Sequence, residues 1–205
     1  MHIPKKIYLI RHGQTDYNKN GIVQGSKINA SLNAAGLEQA KAFYEAYKII
    51  PFDMIYTSNL KRTKESVQQF IDSGIALKSF AGLNEISWGD YDGKKIQEGD
   101  YYWQVVEEWK KGNVRLSAKN GESPQIVADR QIEVIEAIKS EEASNLLVCM
   151  HGRAMRILLC QLMDEPLVSM DQYQHHNLGL YVIDFNGSTF TLKEKNVVTH
   201  LSNII

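Results

Sequence analysis

Apolar residues along this chain fall either into short unbroken runs or into stretches where they recur every three or four positions. Ile7-Tyr8-Leu9-Ile10 and Leu146-Leu147-Val148-Cys149-Met150 are the clearest runs, and each reads as a strand. Between them the period lengthens. Asn33 caps a predicted helix reaching about residue 48, with Leu37, Ala40, Tyr44 and Tyr47 on one stripe and Gly36 weakening it slightly. A short strand at 54–56 follows, then a helix from about Leu60 with Val67 and Ile71 on its inner face, and a strand at 76–80. Residues 82–122 are irregular and aromatic. Ser123-Pro124 joins a capping hydroxyl to a first-turn proline and opens a helix to about residue 140. The strand at 146–150 leads to a helix over about 153–163. Two last runs, 179–185 and 189–195, fold about Asn186-Gly187 as an antiparallel pair. This order predicts an α/β fold: a three-layer sandwich with a largely parallel sheet and at least one antiparallel strand.

Composition narrows the partners more than the fold. A chain of 205 residues suits a single domain, 1–205, and its formal net charge of -1 gives no general attraction to nucleic acid or to an anionic membrane. Any anion must therefore be held by a local cluster. No window is apolar enough to span a bilayer and the opening residues lack the apolar stretch of a signal peptide, so the expected location is cytoplasmic. The two cysteines, Cys149 and Cys160, lie in a predicted strand and helix and read as packing residues. Oligomeric state has no signature here.

Both long apolar runs end in His-Gly, in Arg11-His12-Gly13 and again in His151-Gly152. Ligands of open α/β sheets bind at the carboxyl ends of the strands, so two histidines distant in sequence can meet over one small ligand there. Arg11 beside one of them points to an anion. Other phosphate and metal motifs fail on spacing. Gly21 to Lys27 and Gly89 to Lys94 pair glycines with lysine, yet neither joins an apolar strand to a helix as a P-loop does. Asp90-Tyr91-Asp92 resembles the paired aspartates of a magnesium-dependent phosphatase but follows Ser87-Trp88-Gly89, which is no buried strand. Cys149 precedes His151-Gly152-Arg153, as in a cysteine phosphatase, but Met155 stands where the cradle arginine is needed. No helical two-histidine pair exists, and the sequence requires no metal and no other cofactor.

The remaining charged candidates read less sharply. Arg62 lies off the apolar stripe of its helix, as a solvated side chain would, although its first-turn position also suits anion binding. Arg130 flanks a buried face and calls for an acidic partner, and Arg156 reads as support for the histidine loop. His2, His175, His176 and His200 read as surface or structural residues, with Asn177 placed to help shape the site.

Five pieces then arrive in order: Leu9 to Asn18 with Val23-Gln24-Gly25, Tyr56 to Thr63, Leu83 to Gly89, Gly121-Glu122-Ser123, and Val148 to Gly152. Together they resemble the histidine phosphatase superfamily, in its phosphoglycerate-mutase-like branch, over nearly the whole chain. Gln14 and Tyr17 depart from the usual glutamate and tryptophan. The resemblance implies a metal-independent phosphomonoester hydrolase acting on a small phosphorylated metabolite. His12 would be the nucleophile that forms a phosphohistidine, and Arg11, Arg62 and His151 would stabilise the phosphoryl charge. Asn18 and Gly152 would bind substrate. Glu85 would protonate the leaving oxygen and later activate water, and burial near Trp88 would help it hold a proton. One alternative is a cofactor-dependent phosphoglycerate mutase; another is a binder of phosphorylated ligands or a partner protein without turnover. Glu85 to Gly93 lacks the arginine and histidine that glycolytic mutases carry there, which favours the phosphatase. Residues of about 94–121 are expected to form a small helical cap, with an amphipathic helix packed on the body as the competing reading.

Overall fold

A computed structural model of the chain describes residues 2–202. Its first strand, β1 (Lys5–Arg11), leads through the short helix α1 (Asp16–Lys19) into α2 (Ala34–Tyr47) and β2 (Met54–Thr57). Helices α3 (Lys61–Ser66) and α4 (Gln68–Asp72) precede β3 (Ala76–Ser79), and α5 (Tyr101–Lys110) stands alone in the aromatic stretch. The chain closes with α6 (Pro124–Ser140), β4 (Asn145–Met150), α7 (Gly152–Leu162), β5 (Leu180–Phe185) and β6 (Phe190–Val197). One six-stranded sheet runs β3-β2-β4-β1-β5-β6. The pairings β2·β3, β2·β4 and β1·β4 are parallel, whereas β5 runs antiparallel to both β1 and β6.

Alternation along the central strands builds the three layers. Ile7 and Leu9 of β1, Leu146, Val148 and Met150 of β4, and Tyr181 and Ile183 of β5 pack on one face with α6 and α7 residues such as Val127, Val134, Ile157 and Leu158. Ile10, Leu147, Cys149, Leu180 and Val182 enter the opposite core with Phe43, Val67 and Phe70 of the α2 to α4 side. Each fully buried aliphatic side chain contributes roughly 1.5–3 kcal/mol, so the two faces hold the sheet from both sides. Cys149 sits inside this packing with its thiol pushed up by burial, in keeping with an inert, structural residue. Among the described residues no helix is long and apolar enough to cross a membrane.

Two local readings need correction. The helix predicted from Leu60 breaks at Val67, whose φ of -121° and ψ of 14° are not helical. Ser66 causes part of this, because its hydroxyl donates to the Arg62 carbonyl (2.6 Å) and accepts the Gly13 N–H (2.9 Å). In α2 the buried residues are Gly36, Gln39, Ala40 and Phe43, while Leu37 is 54% exposed. Gly36 does more than weaken its helix. A Cβ there would lie 2.1 Å from the Gln14 carbonyl oxygen, so its absence lets α2 press against the loop after β1. That contact helps fix the loop that carries His12.

Candidate active site

Parallel register decides where the two His-Gly pairs go. Arg11 is the partner of Met150 across the β1·β4 ladder, and the His12 N–H donates to the Met150 carbonyl at 3.0 Å. His12 and His151 therefore leave adjacent strands at the same level, with ring centroids 5.1 Å apart. Strand β2 lies on the other side of β4, so the loop after it brings Ser58 and Arg62 against His151.

His12 is 3% exposed, and its Nδ1 lies 2.7 Å from the Gly13 carbonyl oxygen. A carbonyl only accepts, so Nδ1 carries the proton and Nε2 keeps its lone pair. Burial first, then the Arg62 and Arg11 charges, hold this imidazole well below the usual histidine pKa, so it is neutral at physiological pH. Its backbone is fixed from two sides. Ser66 accepts the Gly13 N–H, and Asn177 Nδ2 donates to the His12 carbonyl at 2.8 Å.

His151 is fully buried and bonded at both nitrogens. Arg62 Nε donates to Nδ1 at 3.1 Å, which leaves Nε2 as the donor to Ser58 Oγ at 2.8 Å. Ser58 Oγ then donates to Thr63 Oγ1 (3.0 Å), whose hydroxyl ends on the Leu60 carbonyl (2.8 Å). Burial and the Arg62 charge depress the His151 pKa as well. Arg62, which pattern alone places in solvent, is 0% exposed, with Nη1 donating to the Ile28 carbonyl at 2.6 Å. The resemblance to the family located it; helix periodicity did not.

A cavity of about 200 Å³ opens at this sheet edge, lined among others by Arg11, His12, Asn18, Glu85, Gly152, Arg153 and His175. His151, beside His12, and Arg62, bonded to His151, are not among its lining residues. Arg11 Nε, Arg62 Nη2 and Gln24 Nε2 are buried N–H donors without a partner among the described residues. An unpaired buried donor is costly, so the two that belong to lining residues of the cavity, Arg11 Nε and Gln24 Nε2, suit an acceptor-rich ligand. Burial lowers the pKa of both guanidinium groups to about 10, still well above neutrality, so the ligand they suit is an anion.

Asn18 turns its Oδ1 to the Thr15 N–H (3.3 Å) within the α1 capping box. That leaves its amide N–H₂ as the polar group for the cavity. Glu85 accepts from the Ile86 and Ala154 N–H groups on Oε1, each at 2.9 Å, and from the Arg153 N–H on Oε2 at 3.1 Å. It thus sits at the N-terminus of α7, held in place by three backbone N–H groups. Arg130 makes the predicted ion pair, Nε to Glu122 at 2.9 Å, and donates to the carbonyls of Gly82, Asn84 and Glu85. It braces the segment that presents Glu85. Arg156 and Arg153 both pair with Asp171. Asp92 accepts the Gly25 N–H (2.9 Å) and Asp90 the Asn120 amide (2.9 Å), so both aspartates tie loops together.

Several residues of the site escape sequence reasoning. Ser58 and Gln24 lie within stretches that carry the resemblance but take no role from it, and Tyr102 and Arg153 carry no pattern that sets them apart. His175, read as surface or structural, lines the cavity and contacts Arg11. Its only sequence cue is proximity to Asn177. Gly152 borders the cavity, and a Cβ on it would lie 2.8 Å from His175 Cε1. The missing side chain makes room for that ring. His200 remains structural, bonded to the Leu178 carbonyl and packed against Phe43 and Tyr47.

Three histidines held neutral by burial carry a stability consequence. His12 and His151 lie well below the ordinary value of 6.5, and burial followed by the Arg11 charge takes His175 down to about 2. The unfolded chain takes up protons near pH 6.5 that the folded chain refuses, so folding stability is full above that pH and falls below it. Each histidine costs up to about 1.4 kcal/mol per pH unit there. Urea midpoints should therefore drop steeply between about pH 6.5 and 5, where ordinary carboxylates barely titrate. A flat profile would contradict neutral burial of these rings.

Comparison with known proteins gives the same outline. The family model described as "Histidine phosphatase superfamily (branch 1)" matches residues 7–198. The Hydrogenobacter thermophilus protein named "Putative phosphoserine phosphatase 2" is 28% identical, covering 96% of this chain and 97% of its own. A 2,3-bisphosphoglycerate-dependent phosphoglycerate mutase of Parvibaculum lavamentivorans is also 28% identical, over 78% of this chain and 80% of its own. The adenosylcobalamin/alpha-ribazole phosphatase of Escherichia coli is 24% identical, with 93% and 95% covered. Among solved structures, Entamoeba histolytica phosphoserine phosphatase in complex with 3-phosphoglyceric acid shares the fold. Its TM-score is 0.82 at 24% identity, with 96% of this chain and 99% of that one covered.

Proposed function

This chain belongs to the histidine phosphatase superfamily, branch 1, and we propose that it hydrolyses a small phosphorylated metabolite through a phosphohistidine at His12, without a metal ion. The observation that carries this reading is the bare Nε2 of a neutral His12 in the cavity lined by Arg11, with the Arg11 and Arg62 charges acting on its ring and Arg11 Nε and Arg62 Nη2 unpaired among the described residues. A phosphoryl group needs a nucleophile in line and positive donors around its equatorial oxygens, and these atoms supply both. Relatives named as phosphatases support the hydrolytic reading.

In the first half-reaction His12 Nε2 bonds to phosphorus as the P–O bond to the leaving group breaks. Glu85 gives its proton to the departing oxygen. Its Oε2 accepts one amide N–H against two on Oε1, which leaves Oε2 as the oxygen with room for that proton. In the second half-reaction Glu85 takes a proton from water, the hydroxide oxygen bonds to phosphorus, and the P–N bond breaks to restore His12. The guanidinium groups of Arg11 and Arg62 carry the charge that a metal ion supplies in other phosphatases. His151 acts through Arg62, since both of its nitrogens are engaged within the protein. Within residues 94–121, α5 buries Val105, Val106 and Trp109 against the body while Tyr102 reaches the cavity. We read this segment as a cap that is packed down and forms one wall of the site.

The test is phosphate release from a panel of phosphomonoesters with chelator present, alongside an isomerisation assay on 3-phosphoglycerate. Release at a rate unaffected by chelator is the expected result. Release lost on chelation and restored by magnesium would overturn the metal-free mechanism. Isomerisation without release would move the chain to the mutases, and neither reaction on any substrate would leave the non-catalytic binder.

A further inference from the structure

Arg11 can meet a phosphate only with the edge of its guanidinium that the protein leaves free, and one neighbouring side chain governs which edge that is. Its Nη1 lies 3.2 Å from His175 Nδ1 and 3.4 Å from the His175 carbonyl oxygen. Arg11 is a permanent donor, so His175 Nδ1 accepts and the ring proton sits on Nε2. With Nη1 held back, Nε and Nη2 remain on one edge of the guanidinium, the geometry that binds two phosphate oxygens at once. Nε is buried and has no partner among the described residues.

We propose that His175 is a positioning residue for Arg11: its ring nitrogen Nδ1 anchors Nη1, so the Nε/Nη2 edge faces the phosphate. This rests on the phosphoryl-transfer reading above. Two further observations agree with it. The ring packs against Gly152 at the start of α7, with Cε1, Nε2 and Nδ1 all within 2.8–3.2 Å of where a Gly152 Cβ would stand. Burial and the nearby Arg11 charge keep it neutral, and a protonated ring would repel the guanidinium it holds. The second histidine of the pair, His176, turns away and bonds Asn196.

Amide side chains separate this role from space filling. An asparagine at 175 can place an acceptor where Nδ1 stands, whereas glutamine reaches the Nε2 position. The experiment measures binding of inorganic phosphate by calorimetry, then KM and kcat, for wild type and for His175→Asn, His175→Gln and His175→Ala. Melting temperatures confirm folding. The expected result is about tenfold or greater weakening of phosphate binding in the Ala and Gln variants, with KM raised more than kcat is lowered, and near-wild-type values in His175→Asn. Wild-type binding in His175→Ala overturns the proposal, as does equal rescue by glutamine or failure of asparagine to rescue. Absence of phosphate binding by the wild type would instead remove the anion site itself, and this inference with it.

Discussion

Replacing His12 by alanine is expected to lower kcat by at least about 10,000-fold while leaving inorganic phosphate binding within a few-fold of wild type. The split follows from the division of labour in the cavity. In the proposed mechanism His12 supplies the bare nitrogen, whereas Arg11, Arg62 and Asn18 would hold the anion without it. Quenching the wild type during turnover should trap an acid-labile, base-stable phosphate on the protein, and the variant should show none. Phosphate release within about tenfold of wild type would mean that another group performs the attack.

Removing Arg62 should separate activity from stability. In Arg62→Met we expect kcat/KM to fall on the order of a thousandfold, because the buried Nη2 donor and its charge disappear from the transition state. The fold should lose little, no more than about 1 kcal/mol by urea unfolding. Two hydrogen bonds go, those to His151 Nδ1 and the Ile28 carbonyl. Against them, methionine fills similar volume and removes a charge that burial penalises. Arg62→Lys keeps the charge but loses the planar fork, so its activity should lie between the two. A variant with full activity would show that Arg62 serves packing alone, and collapse of the fold would show that its two contacts outweigh the cost of burying it.

Much of this architecture is already written in short-range pattern. Runs such as Leu146 to Met150 announce strands because a residue enclosed on both faces must be apolar at every position. Asn33 and Ser123 mark helix starts because their side chains accept the N–H groups of Gly36 and Ile126. Two His-Gly pairs at strand ends, with Arg11 beside one, already point to the carboxyl edge of the sheet, where the fold brings both histidines together.

Other features depend on groups brought together from far along the chain. Arg62 looks solvated because helix periodicity records only its own helix, and the buried partner that fixes it, His151, lies in a separate segment. Leu37 looks buried and is exposed because α2 turns Gly36 towards the loop after β1, and only the close approach of that loop makes glycine the inward residue. His175 resembles any surface histidine until Gly152 gives its ring a seat and Arg11 gives it a donor. Local sequence determined the strands, the helix caps and the residue types delivered to the ends of the strands, since these depend on backbone hydrogen bonding and side-chain chemistry nearby. Tertiary structure decided the protonated nitrogens of His12, His151 and His175 and which donors of Arg11 and Arg62 stay unpaired among the described residues, because those follow from contacts between residues that only folding makes neighbours.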